Sequence, residues 1–227
     1  MSEREQIFGR IREALRNPAP VPGAHHGESL PPVTEASAAP HIPEWLPLVG
    51  DSEAERLELF KKNSIELKAD FRLLDSEEEV HAQIAELSAD WKRVATHRNP
   101  LTDLVCDRID LPILCTDGGY DAAEMEECDV GISACDALIA QTGSVLVTST
   151  SAGGRSLSVL PPHHIVVARR DQLLSDLPSA FALLEERYAP DYPSFISFIT
   201  GPSRTGDIER ILVLGAHGPK VLTILCW

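Results

Sequence analysis

Apolar residues recur along this chain at two spacings, and the two alternate. Ser52-Glu53-Ala54-Glu55 is a capping-box pattern, and Leu57, Phe60, Ser64, Leu67 and Phe71 follow on one helical face, which predicts a helix to about Lys68. Phe71 to Leu74 reads as a short strand. Ser76 to Glu79 repeats the capping box, and Val80, Ile84, Leu87 and Trp91 fall on a single helical stripe. Arg93 to Thr96 and Ile113 to Thr116 are the next strands, the second ending in an Asp117-Gly118-Gly119 turn. Strand and helix therefore alternate, which predicts a parallel sheet covered by helices.

The second half changes rhythm. Ala137 to Ala140 and Val145 to Thr148 are apolar runs joined through Gln141-Thr142-Gly143-Ser144, so they read as a hairpin or two adjacent strands. Ile165 to Ala168 is strand-like. Asp176 and Pro178 open a helix with Leu177, Phe181, Leu184 and Tyr188 on one face. Phe195 to Ile199 is a strand that breaks at Gly201-Pro202. Ser203, Thr205 and Asp207 are helix-capping types, so a second capped helix is expected there, with Glu209 in its first turn. Ile211 to Leu214, the turn Gly215 to Pro219 and Val221 to Cys226 complete the pattern.

Residues 51–227 hold all of these elements. Ahead of them, residues 1–16 read as a short amphipathic arm, with Ile7, Phe8, Ile11 and Leu15 together and Asn17-Pro18 ending it. The arm either docks on this or another subunit or frays. Residues 17–50 are a linker, because eight prolines between Pro18 and Pro47 rule out a regular element.

Charge narrows the function classes. Acidic residues outnumber basic ones, 35 to 20, for a formal charge of −15 over 227 residues. That argues against nucleic acid and against an anionic membrane surface as partner. No apolar run approaches the ~20 residues of a membrane span, and the N-terminus lacks an apolar signal segment, so a cytoplasmic protein is expected. The five cysteines, Cys106, Cys115, Cys128, Cys135 and Cys226, include no C-x-x-C pair. Free core thiols are expected, with no metal and no iron–sulfur cluster of the chain's own.

Several loops carry candidate chemistry. A strand turning into a capped helix at Ser203-Arg204-Thr205 would aim backbone N–H groups and a guanidinium at one spot, an anion-binding geometry. Thr142, Gly143 and Ser144 form a tight polar turn. Gly153 and Gly154 let backbone approach a ligand beside Arg155, unless the loop is merely mobile. His163-His164 fails as a metal pair, because neighbouring strand residues point to opposite faces. The acidic run from Asp121 to Asp136 reads as a solvated face; its spacing does not suit a calcium loop.

Six pieces in order resemble the LUD domain of the lactate utilization protein C family: Gly131-Ile132, Gln141-Thr142-Gly143-Ser144, Gly154 to Ser158, Leu160-Pro161, Gly201 to Glu209 and Leu214 to Pro219. The resemblance implies a Rossmann-like three-layer α/β domain similar to the sugar-isomerase and CoA-transferase superfamily. It also implies a part in oxidising L-lactate to pyruvate, with an iron–sulfur protein and a cysteine-rich protein as partners carrying the clusters. Family members often have Glu where this chain has Gln141, and a neutral amide is neither nucleophile nor general base, which counts against acyl transfer at that turn.

The leading expectation is a subunit without its own redox centre that binds a small anionic or phosphorylated ligand. Ser203, Arg204 and Thr205 would grip it, Thr142, Gly143 and Ser144 would face it, Arg155 would close over it, and His217, with Asp207 second, would handle a proton. A transferase or isomerase acting alone on a sugar phosphate or acyl-CoA, and a structural adaptor of an iron–sulfur complex, are the alternatives.

Overall fold

The computed structural model describes residues 47–205, 213–215 and 217–227, together with Glu13. The predicted arm and most of the linker lie outside the described residues, as does Asp207.

Alternation of short helices and strands builds the first half. Helix α1 (Glu53–Glu66) starts at the predicted capping box: the Ser52 hydroxyl accepts from the Glu55 N–H and the Glu55 carboxylate accepts from the Ser52 N–H. Strand β1 (Asp70–Leu73), α2 (Glu77–Leu87), β2 (Val94–Thr96), α3 (Pro100–Cys106), β3 (Ile113–Cys115), α4 (Ala122–Glu126) and β4 (Val130–Ser133) follow in order. The second half contributes β5 (Ala137–Ile139), β6 (Ser144–Thr148), β7 (His163–Ala168), β8 (Leu173–Leu174), α5 (Leu177–Tyr188), β9 (Ile196–Ile199), β10 (Arg204–Thr205), β11 (Val213–Leu214) and β12 (Val221–Cys226).

Six strands make one parallel sheet in the order β1-β12-β7-β4-β2-β3. On one face α2 and α3 bury Val80, Ile84, Val105 and Cys106 against Val94, Val130, Ile132, Ile165 and Val167. On the other face α1 brings Leu57 and Phe60 onto Val166, Ala168, Leu222 and Ile224. The expected Rossmann-like α/β layering is therefore present.

The second cover is not all helix. Strands β8-β5-β6-β9 form a separate sheet, with β5–β6 and β6–β9 antiparallel. Leu138, Val145 and Val147 pack inward onto the large sheet, while Ala137, Ile139 and Leu146 pack outward onto Ala180 and Leu184 of α5. Both faces of this sheet are buried, which explains its continuous apolar runs.

The start of one predicted element is corrected, while the rest of the expected helix, residues 206–212 with Glu209, lies outside the described residues. Arg204 and Thr205 do not open a helix; they pair antiparallel with Leu214 and Val213. Ser203 is held the same way, its N–H on the Pro219 carbonyl at 2.9 Å and its own carbonyl accepting from Gly215 at 3.0 Å. Capping residue types are also turn and strand-end types, and here the long-range partner decided between them.

Candidate functional site

The large sheet has two edges where loops gather; Ser203, Arg204, Thr205 and His217 lie at one and Arg155 at the other, while Thr142, Gly143 and Ser144 lie at neither. At the edge where the parallel strands start, the turn before β12 lies over Ser203. The His217 N–H donates to the Ser203 hydroxyl at 3.4 Å, and Gly218 sits against the same side chain. Lys220 is anchored by its N–H on the Pro162 carbonyl at 2.8 Å, just before β7. His217 and Lys220 open onto a cavity of about 500 Å³ that Gly215, Glu126, Leu160 and Pro162 also line, with Ser203 behind His217. A flexible ammonium and an imidazole face one carboxylate across it. Arg204, which is exposed, and Thr205 sit on the adjoining β10–β11 pair. Thus Ser203 and His217, 14 residues apart, lie side by side. Lys220 was missed by sequence reasoning; its only signal is its place one residue beyond the Gly215–Pro219 turn.

The Arg155 loop lies elsewhere. It leaves β6 at Thr148 and crosses the strand-ending edge, where Thr116 donates its hydroxyl to the Gly153 carbonyl at 2.9 Å and Gly153 packs on His97. The exposed Arg155 guanidinium stands 5.9 Å from the centre of the Phe195 ring, and Ser156 shares a hydrogen bond with Tyr120. This is the topological switch point of the sheet: the chain leaves β2 outward to β3 but leaves β4 in the opposite direction to β7.

His97, at the end of β2, anchors this edge. Its Nε2 accepts the Ala134 N–H at 3.3 Å, which assigns the ring proton of the neutral form to Nδ1. Burial pushes its pKa below the usual value, with Asp117 and Asp103 pulling the other way. Asp117 Oδ2 accepts the Arg98 N–H at 2.7 Å, and that bond is the main cause of a carboxyl held below its ordinary range. The carboxylates Asp103 and Asp107 line the cavity beside His97. Arg98 also lines this cavity, but its guanidinium stands 3.8 Å from Asp103 Oδ1, and with Asp107 beside it this edge is a poorer host for an anion than the Lys220 edge. His97 also went unnoticed in the sequence; a histidine that ends a strand and precedes an Asn-Pro helix start is its signal.

Thr142, Gly143 and Ser144 face neither cavity. The turn is pressed onto α1: the Asn63 amide donates to the carbonyls of Ala140 and Gln141, both at 2.9 Å, and a Cβ on Gly143 would come within 2.7 Å of the Ser64 nitrogen. Ser144 shares a hydrogen bond with Thr200 at 2.8 Å. Arg155 lies beyond the other end of β6, a strand whose five residues span about 14 Å at the usual rise. The three loops therefore do not share one rim. Gln141 is buried, its amide 3.4 Å from the Pro47 carbonyl.

The two adjacent histidines diverge as strand geometry requires. His163 Nε2 pairs with Thr223 Oγ1 at 2.9 Å and its ring meets Trp91 edge-on, while His164 Nε2 pairs with Ser133 Oγ at 2.9 Å on the opposite face. Among the described residues no group of three or more His, Cys, Asp or Glu could hold a metal ion, and no helix is long and apolar enough to cross a membrane.

The LUD domain family matches residues 115–226, from the end of β3 through β12. Relatives named lactate utilization protein C include one from Geobacillus sp., 36% identical over 102 residues, covering 44% of this chain and 42% of that one. Another, from Bacillus subtilis, is 34% identical over 104 residues, covering 45% and 43%. The match to the Oceanobacillus iheyensis relative is longer, 26% identical over 196 residues, covering 81% and 84%. For the more identical relatives, then, the matched stretch spans less than half of their length. A crystal structure of a DUF162 family protein from Deinococcus radiodurans shares the fold, with a TM-score of 0.62 at 21% identity, over 79% of this chain and 99% of that one.

Proposed function

For a chain that carries a LUD domain and is related to lactate utilization protein C, we propose a cytoplasmic subunit of an L-lactate-oxidising assembly. It binds a small anionic or phosphorylated ligand at the Lys220 edge and leaves electron transfer to an iron–sulfur protein and a cysteine-rich protein. The observation that carries this reading is the meeting of Ser203 and His217 beside Lys220 at a cavity large enough for a small ligand. Lys220 supplies the charge, and His217, ordered through its backbone by Ser203, holds or passes a proton there. Arg204 and Thr205 extend the polar wall on the β10–β11 side. Arg155 belongs to the other edge and takes no part in gripping this ligand.

Thermal unfolding with L-lactate, pyruvate, inorganic phosphate and a nucleoside phosphate tests the site. At least one should raise the Tm of the full chain, since a ligand at 100 times its Kd contributes about 2.7 kcal/mol. K220A and H217A should lose that rise, and R155A should keep it. A rise of equal size in K220A and H217A, or none with any of the four, overturns the reading.

A further inference from the structure

Independently of the anion site, the crevice at the strand-ending edge brings two thiols together. Cys115 ends β3 and Cys106 ends α3, and both line the same cavity of about 250 Å³ with Thr96 and His97. In the parallel register Thr96 of β2 lies directly beside Cys115, so their side chains leave the sheet on one face, the face α3 covers. The two cysteines therefore line one cavity together with Thr96, on one side of the sheet. Of the five cysteines, Cys115 alone is not buried.

We propose that Cys115 and Cys106 form a thiol–disulfide exchange site for a small organic disulfide of the glutathione type. The accessible Cys115, as thiolate, attacks one sulfur of the small disulfide; the S–S bond breaks and the first small thiolate leaves and takes up a proton. Cys106, as thiolate, then attacks the Cys115 sulfur and expels the second small thiol. Two chain thiols are oxidised, one small disulfide is reduced to two thiols, and the two chain protons end on those thiols. Cys115, whose thiol donates to Asp117 Oδ2 at 3.2 Å, is the sulfur an incoming disulfide can reach, and the buried Cys106, its thiol lifted to about 11 by burial, is left the resolving role. The bond draws the end of α3 onto β3 beside His97, so the oxidation state reshapes the switch-point crevice.

Incubating the full chain with oxidised glutathione and mapping it by mass spectrometry tests this. The expected product has lost two of its five thiols, with one crosslink between Cys106 and Cys115 and no retained glutathione. C106S should retain a glutathione adduct on Cys115, and C115S should remain fully reduced. A wild-type chain that keeps all five thiols, links a different pair, or holds the adduct as stably as C106S overturns the proposal.

Discussion

Gly153 rests directly on His97: a Cβ built on the glycine would overlap the Cβ and Cγ of the histidine, and its φ of +61° is one that side chains rarely adopt. The loop after β6 is thereby fastened to the end of β2 at a single point where only hydrogen fits. G153A should destabilise the protein by about 2 kcal/mol or more, the sum of left-handed backbone strain and displacement of a buried ring. Urea unfolding measures it, and a loss under about 0.5 kcal/mol would show that the contact is not tight.

Asn63 ties α1 to the second sheet through two carbonyls at once. N63A removes both donors and should cost about 2 kcal/mol. N63D should cost more, because a carboxylate faces two carbonyl oxygens and repels them. Equal losses in the two variants would mean the amide contributes by packing alone.

Asp136 is a buried carboxylate whose Oδ1 accepts the Tyr188 hydroxyl at 2.6 Å and stands 3.4 Å from the Arg187 guanidinium, while its Oδ2 is buried without a partner. Y188F removes the shorter of these contacts with almost no change in shape. A loss of about 1–3 kcal/mol is expected in chemical denaturation. Retention of full stability would place the support of Asp136 on Arg187.

Three histidines make the fold acid-sensitive above the carboxylate range. Burial lowers the pKa of His97, His163 and His164, the last to about 3. In the unfolded chain each titrates near 6.5, so as pH falls below that value the unfolded state takes up protons that the folded state refuses. Stability from these groups is complete above about pH 6.5 and declines below it, for His164 down to about pH 3, with a slope of up to about 1.4 kcal/mol per pH unit per histidine. Unfolding free energies at pH 7.5 and pH 5 give the slope. H164Q, if folded, should flatten it, and a profile already flat in the unsubstituted chain would contradict the burial of these rings.

Much of the framework was legible because local signals agreed with the fold. Ser52 with Glu55, and Asp176 with Pro178, marked helix starts that the structure keeps. The divergence of His163 and His164 followed from strand geometry alone. The second sheet was only half visible: Gly143 announced the β5–β6 turn, but β8 and β9 join that sheet through residues far away in the chain. The polar turn Thr142-Gly143-Ser144 looked like a ligand wall because hydroxyls and glycine suit both ligands and tight packing, and the packing partner, α1, lies about 75 residues earlier, too far for local pattern to register.

The sequence by itself determined the alternation of helix and strand, the apolar faces and the kinship, because periodicity, caps and turn residues are local properties. Only the tertiary structure decided which polar loops keep company. It placed Ser203 under His217 and Gly153 on His97, at opposite edges of one sheet, since strand order and direction, which no local pattern encodes, fix where each loop emerges.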